Sequence, residues 1–134
     1  MRHLSEIHVR FGDTDMLGHV NNASYFTYME EARCDFLRAL GVEQIPVILA
    51  SAKGDFRAQT FYPEVLDVET WVTRMGNSSF EIANRMLRKG TDEVVFEGTA
   101  VVVHFDFDAQ KPTRVPDALR SLLEPYVESA LVNG

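Results

Sequence analysis

Residues 22–41 read Asn22-Ala23-Ser24-Tyr25-Phe26-Thr27-Tyr28-Met29-Glu30-Glu31-Ala32-Arg33-Cys34-Asp35-Phe36-Leu37-Arg38-Ala39-Leu40-Gly41. Tyr25, Met29, Ala32, Phe36 and Leu40 recur at spacings of three and four, while Glu30, Glu31, Asp35 and Arg38 fall elsewhere. That is the period of a helix with one apolar face. Gly41 supplies a left-handed stop. The run predicts a helix of about 28 Å, long for a chain of 134 residues.

On either side the period changes to two. Upstream, Ile7, Val9 and Phe11 alternate with His8 and Arg10, which predicts a strand over Ser5–Phe11. Downstream, Val47–Ala52 and Asp55–Phe61 read as short strands, followed by Val65–Arg74, Ser79–Arg88 and Val94–Phe107, the last with Val101, Val103, Phe105 and Phe107 on one face. Pro63-Glu64, Gly76-Asn77 and Lys89-Gly90-Thr91-Asp92 supply turns between them, and Asp117–Leu123 reads as a short amphipathic helix. Strands joined by tight turns make an antiparallel sheet, and the one long helix must cover a face of it. The class is therefore α+β, with residues 1–134 forming one domain. One helix leaves sheet edges unpaired, so self-association is expected.

Bulk properties narrow the function. A formal net charge of −7 argues against nucleic acid or an anionic membrane as partner. The single cysteine, Cys34, allows no internal disulfide, and Met1-Arg2-His3-Leu4-Ser5-Glu6 lacks an apolar signal run. No stretch approaches a membrane span. A cytoplasmic location is the expectation.

The polar cluster sits just before the helix, in Gly12-Asp13-Thr14-Asp15-Met16-Leu17-Gly18-His19-Val20-Asn21-Asn22. An Asn at a helix start is first a cap. A helix N-terminus also offers free N–H donors, suited to a carbonyl oxygen that becomes an oxyanion. A carboxylate facing such a site can attack a carbonyl or activate water. A calcium loop fails on spacing, because Leu17 and Ser24 stand where the fifth and twelfth ligands belong. An aspartate phosphotransferase needs a larger α/β domain and an apolar residue at Gly12. No Gly-x-Ser-x-Gly elbow occurs.

The run Val9-Arg10-Phe11-Gly12-Asp13-Thr14-Asp15, then Gly18-His19-Val20-Asn21-Asn22, Tyr25 and Glu31-Ala32-Arg33, resembles the hotdog-fold 4-hydroxybenzoyl-CoA thioesterase family. Gly76-Asn77-Ser78-Ser79-Phe80 and Arg114-Val115-Pro116 fit as well, so the resemblance spans almost the whole chain. It implies a hotdog fold: a long central helix wrapped by a curved antiparallel sheet, paired into homodimers that assemble into tetramers. It implies an acyl-CoA thioesterase that needs no cofactor or metal. Asp15 would be nucleophile or general base, and the backbone N–H of Asn22 would polarise the thioester carbonyl. His19-Val20-Asn21-Asn22 also resembles plant acyl-ACP thioesterases, where a matching His takes part, although Leu17 replaces an Asn of that pattern. His19 is then a third catalytic candidate, positioning water or tuning Asp15. Tyr25, Arg74, Ser78 and Ser79 would bind substrate, with Lys89 assisting at the CoA phosphates, while Tyr25 and Met29 either line an acyl tunnel or pack the core.

The alternatives are an acyl carrier protein as substrate, a hotdog dehydratase or hydratase, and a non-catalytic acyl-CoA-binding module. The His-Phe-Pro-Gly-type run of the dehydratases is absent. Cys34 reads as buried filler, Glu31 as a partner for Arg38 or solvent, and His104, Asp106 and Asp108 as a solvated strand end.

Overall fold

The computed structural model describes residues 1–42 and 45–128. Its strands are β1 (His3–His8), β2 (Val47–Phe56), β3 (Val65–Met75), β4 (Ser79–Arg88), β5 (Val94–Asp106) and β6 (Lys111–Pro112). They form one sheet in the order β1-β3-β4-β5-β2, with β6 beside β5 and every pairing antiparallel. Helix α1 (Asn22–Ala39, 18 residues) comes between β1 and β2 in sequence, and α2 (Asp117–Leu123) follows β6.

Local chemistry sets the ends of α1. The Asn21 side chain accepts the Ala23 N–H at 2.9 Å, satisfying one of the orphan donors of the first turn. At the other end the Gly41 backbone takes φ +79°, a conformation that costs a glycine nothing. Between these caps α1 buries Tyr25, Tyr28, Met29, Ala32, Arg33, Phe36 and Leu37. The first half of that face packs with Ile7, Leu66, Val68, Met86 and Phe96, and the second half with Val72, Phe80, Ile82, Val102 and α2's Leu119 and Leu123. Each fully buried side chain of this size contributes roughly 1.5–3 kcal/mol, so packing rather than helix propensity holds α1.

Register aligns the sheet's buried rows. Val68 lies opposite Met86, which lies opposite Phe96, and Val72–Ile82–Ala100 forms a parallel row. Between these rows Asn84 donates to Thr70 Oγ1 at 2.8 Å, a buried polar pair separating the two apolar clusters. On the opposite face, Trp71 is covered by the Arg2 guanidinium, 3.6 Å from the ring centroid, with Arg2 held by Glu69 and Glu128.

Several elements differ from the sequence expectation. Val47–Ala52 and Asp55–Phe61 are not two strands: β2 runs unbroken through Gly54, with a bulge between Leu49 and Ser51, and stops at Phe56. Gly54 continues the strand because the Phe96 ring occupies the space a side chain would take; a Cβ there would lie 2.2 Å from Phe96 Cζ. β1 ends at His8 rather than Phe11, because the Asp13 carboxylate accepts the Arg10 N–H and winds Phe11–Asp13 into a 3₁₀ turn. The core-facing side of β5 carries Phe96, Ala100 and Val102, which alternate with the Val101 and Val103 face. Cys34, expected as buried filler, is exposed, since it follows Arg33 around to the outer side of α1. Glu31 pairs with Arg10 at 3.2 Å rather than with Arg38. Lys89 pairs with Glu6 at 2.8 Å. Asp106 accepts N–H bonds from Asp108 and Ala109, closing the turn after β5. No helix among the described residues is long and apolar enough to cross a membrane.

Candidate active site

The loop between β1 and α1 is a small hairpin fastened on both sides. Thr14 bridges Val20, the Asp15 N–H donates to the His19 carbonyl at 2.8 Å, and Gly18 turns the chain at φ +83°. Val20 N–H then donates to the Thr60 carbonyl, and His19 bridges Phe61, so residues 60–61 hold the hairpin in place. Asn21 N–H donates back to the Asp13 carbonyl at 2.8 Å.

The two aspartates of this loop have separate environments. Asp13 is 9% exposed, and its Oδ2 accepts from Tyr28 Oη (2.6 Å), Arg10 N (2.9 Å) and Arg10 Nε (3.3 Å). Burial pushes its pKa up, but the Tyr28 and Arg10 hydrogen bonds outweigh burial and hold it below the usual carboxylate range. Burial and the Asp13 charge together push the Tyr28 hydroxyl far up, so it stays a donor. Asp13 is thus consumed in joining the loop to α1. Asp15 is exposed; its Oδ1 accepts the Leu17 N–H at 2.8 Å and the His19 N–H at 3.2 Å. Its Oδ2 has no hydrogen-bond partner among the described residues. Two backbone donors therefore orient the carboxylate and leave one oxygen for chemistry.

Asp15, His19, Asn22 and Tyr25, candidates from the sequence, line one cavity of about 260 Å³. Asn22 opens α1, and its backbone N–H has no acceptor among the described residues, whereas Ala23 and Ser24 donate to Asn21. The His19 ring packs edge-on against Phe61, centroids 4.9 Å apart. Tyr25 is nearly buried and donates to Thr60 Oγ1 at 2.9 Å, while its ring stacks on Phe96 with centroids 5.0 Å apart and planes within 5°. Burial raises the Tyr25 pKa against the opposing Thr60 bond, keeping it a neutral donor. The tyrosine is both core residue and cavity wall.

The far wall comes from residues 56–59, which the sequence reading did not single out. Phe56, Arg57, Ala58 and Gln59 line the cavity opposite Asp15. Arg57 and Ala58 N–H both point to the Val95 carbonyl (2.9 and 3.1 Å), so the chain bends off the edge of the sheet as β2 ends. Arg57 Nε reaches Glu97 Oε1 at 3.7 Å. The one signal in sequence was a polar pair flanking Ala58 where an apolar strand ended.

Arg74, Ser78 and Ser79 lie elsewhere. They sit at the β3–β4 turn and line no wall of this cavity. β3 starts at Val65, just after the Thr60–Glu64 segment that braces the site, and its ten steps to Met75 span roughly 33 Å. Within one chain, the turn and the Asp15 cavity are therefore at opposite ends of the sheet.

Residues 9–123 match the model of the thioesterase-like superfamily. The chain is 28% identical to the uncharacterized protein YsmA of Bacillus subtilis over 89% of this chain and 83% of that protein. It is 26% identical to the acyl-CoA thioester hydrolase YbgC of Escherichia coli O157:H7, over 84% of this chain and 89% of the relative. The structure of a predicted thioesterase from Bacillus stearothermophilus superposes with a TM-score of 0.86 at 27% identity, covering 98% of this chain and 100% of that one.

Proposed function

Since the chain belongs to the thioesterase-like superfamily and is a thioester hydrolase, we propose that it cleaves acyl-CoA to a free carboxylic acid and CoA, with Asp15 initiating the reaction. One observation carries this reading: a carboxylate with a free oxygen and an unused helix N-terminal N–H, at Asn22, border the same cavity. The thioester carbonyl oxygen would accept the Asn22 N–H. As that oxygen gains negative charge, the donor and the positive end of α1 stabilise it; losing one such donor typically costs about 3 kcal/mol.

Asp15 Oδ2 can act in two ways. As nucleophile it bonds to the carbonyl carbon; the tetrahedral oxyanion collapses, the C–S bond breaks, CoA leaves as thiolate, and water hydrolyses the resulting anhydride. As general base it takes a proton from water while that water's oxygen attacks the carbon. A thiolate leaves without prior protonation, so the reaction needs no strong acid beside the carboxylate. His19, braced on Phe61, would orient the attacking water, and Gln59, across the cavity, is a second polar contact for it. Hydrolysis of an acyl-CoA panel by wild type and Asp15→Asn tests the assignment. Comparable rates for the two would sink it. A single turnover in ¹⁸O-water that yields unlabelled product acid, with the label left on the Asp15 carboxylate, identifies an anhydride opened at the Asp15 carboxyl carbon.

The complete hotdog arrangement, with α1 central and the sheet wrapped around it, belongs to the same reading, as do homodimers assembling into tetramers. In its support, β1 and β2 each have an edge with no strand beside it among the described residues, and β2 exposes Ile48, Leu49 and Phe56. If Arg74, Ser78 and Ser79 bind the CoA phosphates, the turn that carries them serves a neighbouring copy's cavity, because it stands at the far end of its own sheet. We place the enzyme in the cytoplasm.

A further inference from the structure

Arg33 breaks the apolar stripe of α1. Tyr25, Met29, Arg33 and Leu37 follow one another at spacings of four, so they stack along one side of the helix, and all four are buried. Arg33 is 9% exposed, yet it has no hydrogen bond and no ion pair within 4.0 Å among the described residues. Its five donors are instead turned into a crevice between α1 and β2. Two hollows of about 240 and 390 Å³ share Glu30, Arg33 and Leu49 as walls, and the first is otherwise lined by Phe26, Thr27, Met29 and Ala52. Glu30 favours the charge through space without reaching bonding distance, and burial still lowers the Arg33 pKa below the usual arginine value. None of the Arg33 nitrogens is among the fully buried unpartnered atoms of the described residues, so the guanidinium opens into the crevice, where a carboxylate can meet it.

The crevice adjoins the reactive cavity. Phe56 lines that cavity, Phe26 lines the first hollow, and their rings stand edge to face with centroids 6.3 Å apart. Along α1, Asn22 and Arg33 are about 16 Å apart, less the reach of an arginine side chain leaning toward the helix start. An acyl chain whose carbonyl sits at Asn22 would cross Phe26, Phe56 and Met29 and bring its far end to Arg33.

We propose that Arg33 is a specificity residue that binds an anionic group at the far end of the acyl chain, so that the preferred substrate is an ω-carboxyacyl thioester. This rests on the reading of Asp15 and Asn22 given above. The attraction is bidentate carboxylate recognition, in which Phe26, Met29 and Leu49 hold the methylenes and the guanidinium holds the terminus.

The test compares ω-carboxyacyl-CoA with uncharged acyl-CoA of equal length, across a length series, using wild type, Arg33→Gln and Arg33→Lys. Wild type should favour the ω-carboxy substrate at least tenfold in kcat/KM at the best length. Arg33→Gln should reduce that ratio ten- to a hundredfold while leaving the uncharged substrate unchanged or improved, and Arg33→Lys should retain part of it. Equal wild-type rates on both series, or an equal loss on both in Arg33→Gln, overturns the proposal. Size-exclusion of the same variants adds a check: loss of an oligomer with an unaltered ratio would assign Arg33 to a contact between copies. Calorimetric binding of both thioesters to Asp15→Asn, with and without Arg33→Gln, separates this failure from failure of the hydrolase reading. A tenfold binding preference without wild-type turnover keeps the role of Arg33 and removes that of Asp15.

Discussion

Asp13 and Asp15 are two residues apart in one loop, and the fold uses them oppositely. Asp13 points inward, and one of its oxygens collects three donors from Tyr28 and Arg10, tying the loop to the second turn of α1. Asp15 points to the cavity, and its two backbone donors fall on Oδ1 alone. The difference lies in who supplies the donors. For Asp13 a side chain of another element, Tyr28 of α1, joins the Arg10 backbone and guanidinium of its own loop and makes the carboxylate a structural rivet. Asp15 has only amides of its own tight turn, which orient it and leave an oxygen unused. Two chemically identical residues are separated by the packing of their neighbours.

The largest effect should come from Asp15→Asn. The substitution keeps the acceptor for Leu17 and His19 N–H, so thermal unfolding should be unchanged while turnover falls roughly 10²–10⁴-fold. A drop in thermal stability comparable to that in Asp13→Asn would erase the distinction drawn between them. Asp13→Asn should instead cost about 1–3 kcal/mol in denaturant unfolding, because the amide oxygen that replaces Oδ2 still accepts from Tyr28 and Arg10 but no longer carries the charge that strengthens those bonds. Its pH dependence sharpens the point. The folded-state pKa of Asp13 lies below the unfolded 3.8, so its stabilisation is fully present above that value and is lost as pH falls through the folded pKa. The stabilities of wild type and Asp13→Asn should therefore converge in acid, and a constant gap down to the folded pKa would show that the carboxylate charge is not what holds the loop.

Gly54→Ala probes the wall facing Asp15 rather than the loop. Its Cβ would collide with Phe96, whose ring stacks on Tyr25, so the change should cost about 2 kcal/mol and raise KM more than it lowers kcat. An unaltered KM would mean the Tyr25 wall does not contact substrate. The smallest effect is expected for Asn21→Ala, about 1 kcal/mol of helix stability from the lost cap, read by denaturant titration. A large turnover loss without a stability change in this variant would move the functional role from Asn22 to its neighbour.

Much of this was legible in the chain because it is written in local periods. Helix bounds at Asn22 and Gly41, the strand Ser79–Arg88 and the short helix Asp117–Leu123 follow from spacing and turn residues alone. Gly54 misled the reading of β2, since a glycine in a strand signals a break until the facing Phe96 is known. Cys34 misled for a similar reason, because one step around a helix separates the buried side from the exposed one. Arg57 and Gln59 carry only a faint local signature, the polar pair flanking Ala58, and they reach the site because β2, paired with β5, ends beside the Asp15 loop.

By itself the sequence determined the α+β order of elements, the capped start of α1 and the gathering of Asp15, His19 and Asn22 before it, because each depends on residues within a few positions of one another. Only the tertiary structure decided that Asp13 is spent while Asp15 keeps an unbonded oxygen, that Tyr25 is at once core and wall, and that Arg33 is buried without a partner among the described residues. Those outcomes depend on what strands remote in sequence bring to face α1, and burial, donors and cavities exist only once those strands have met.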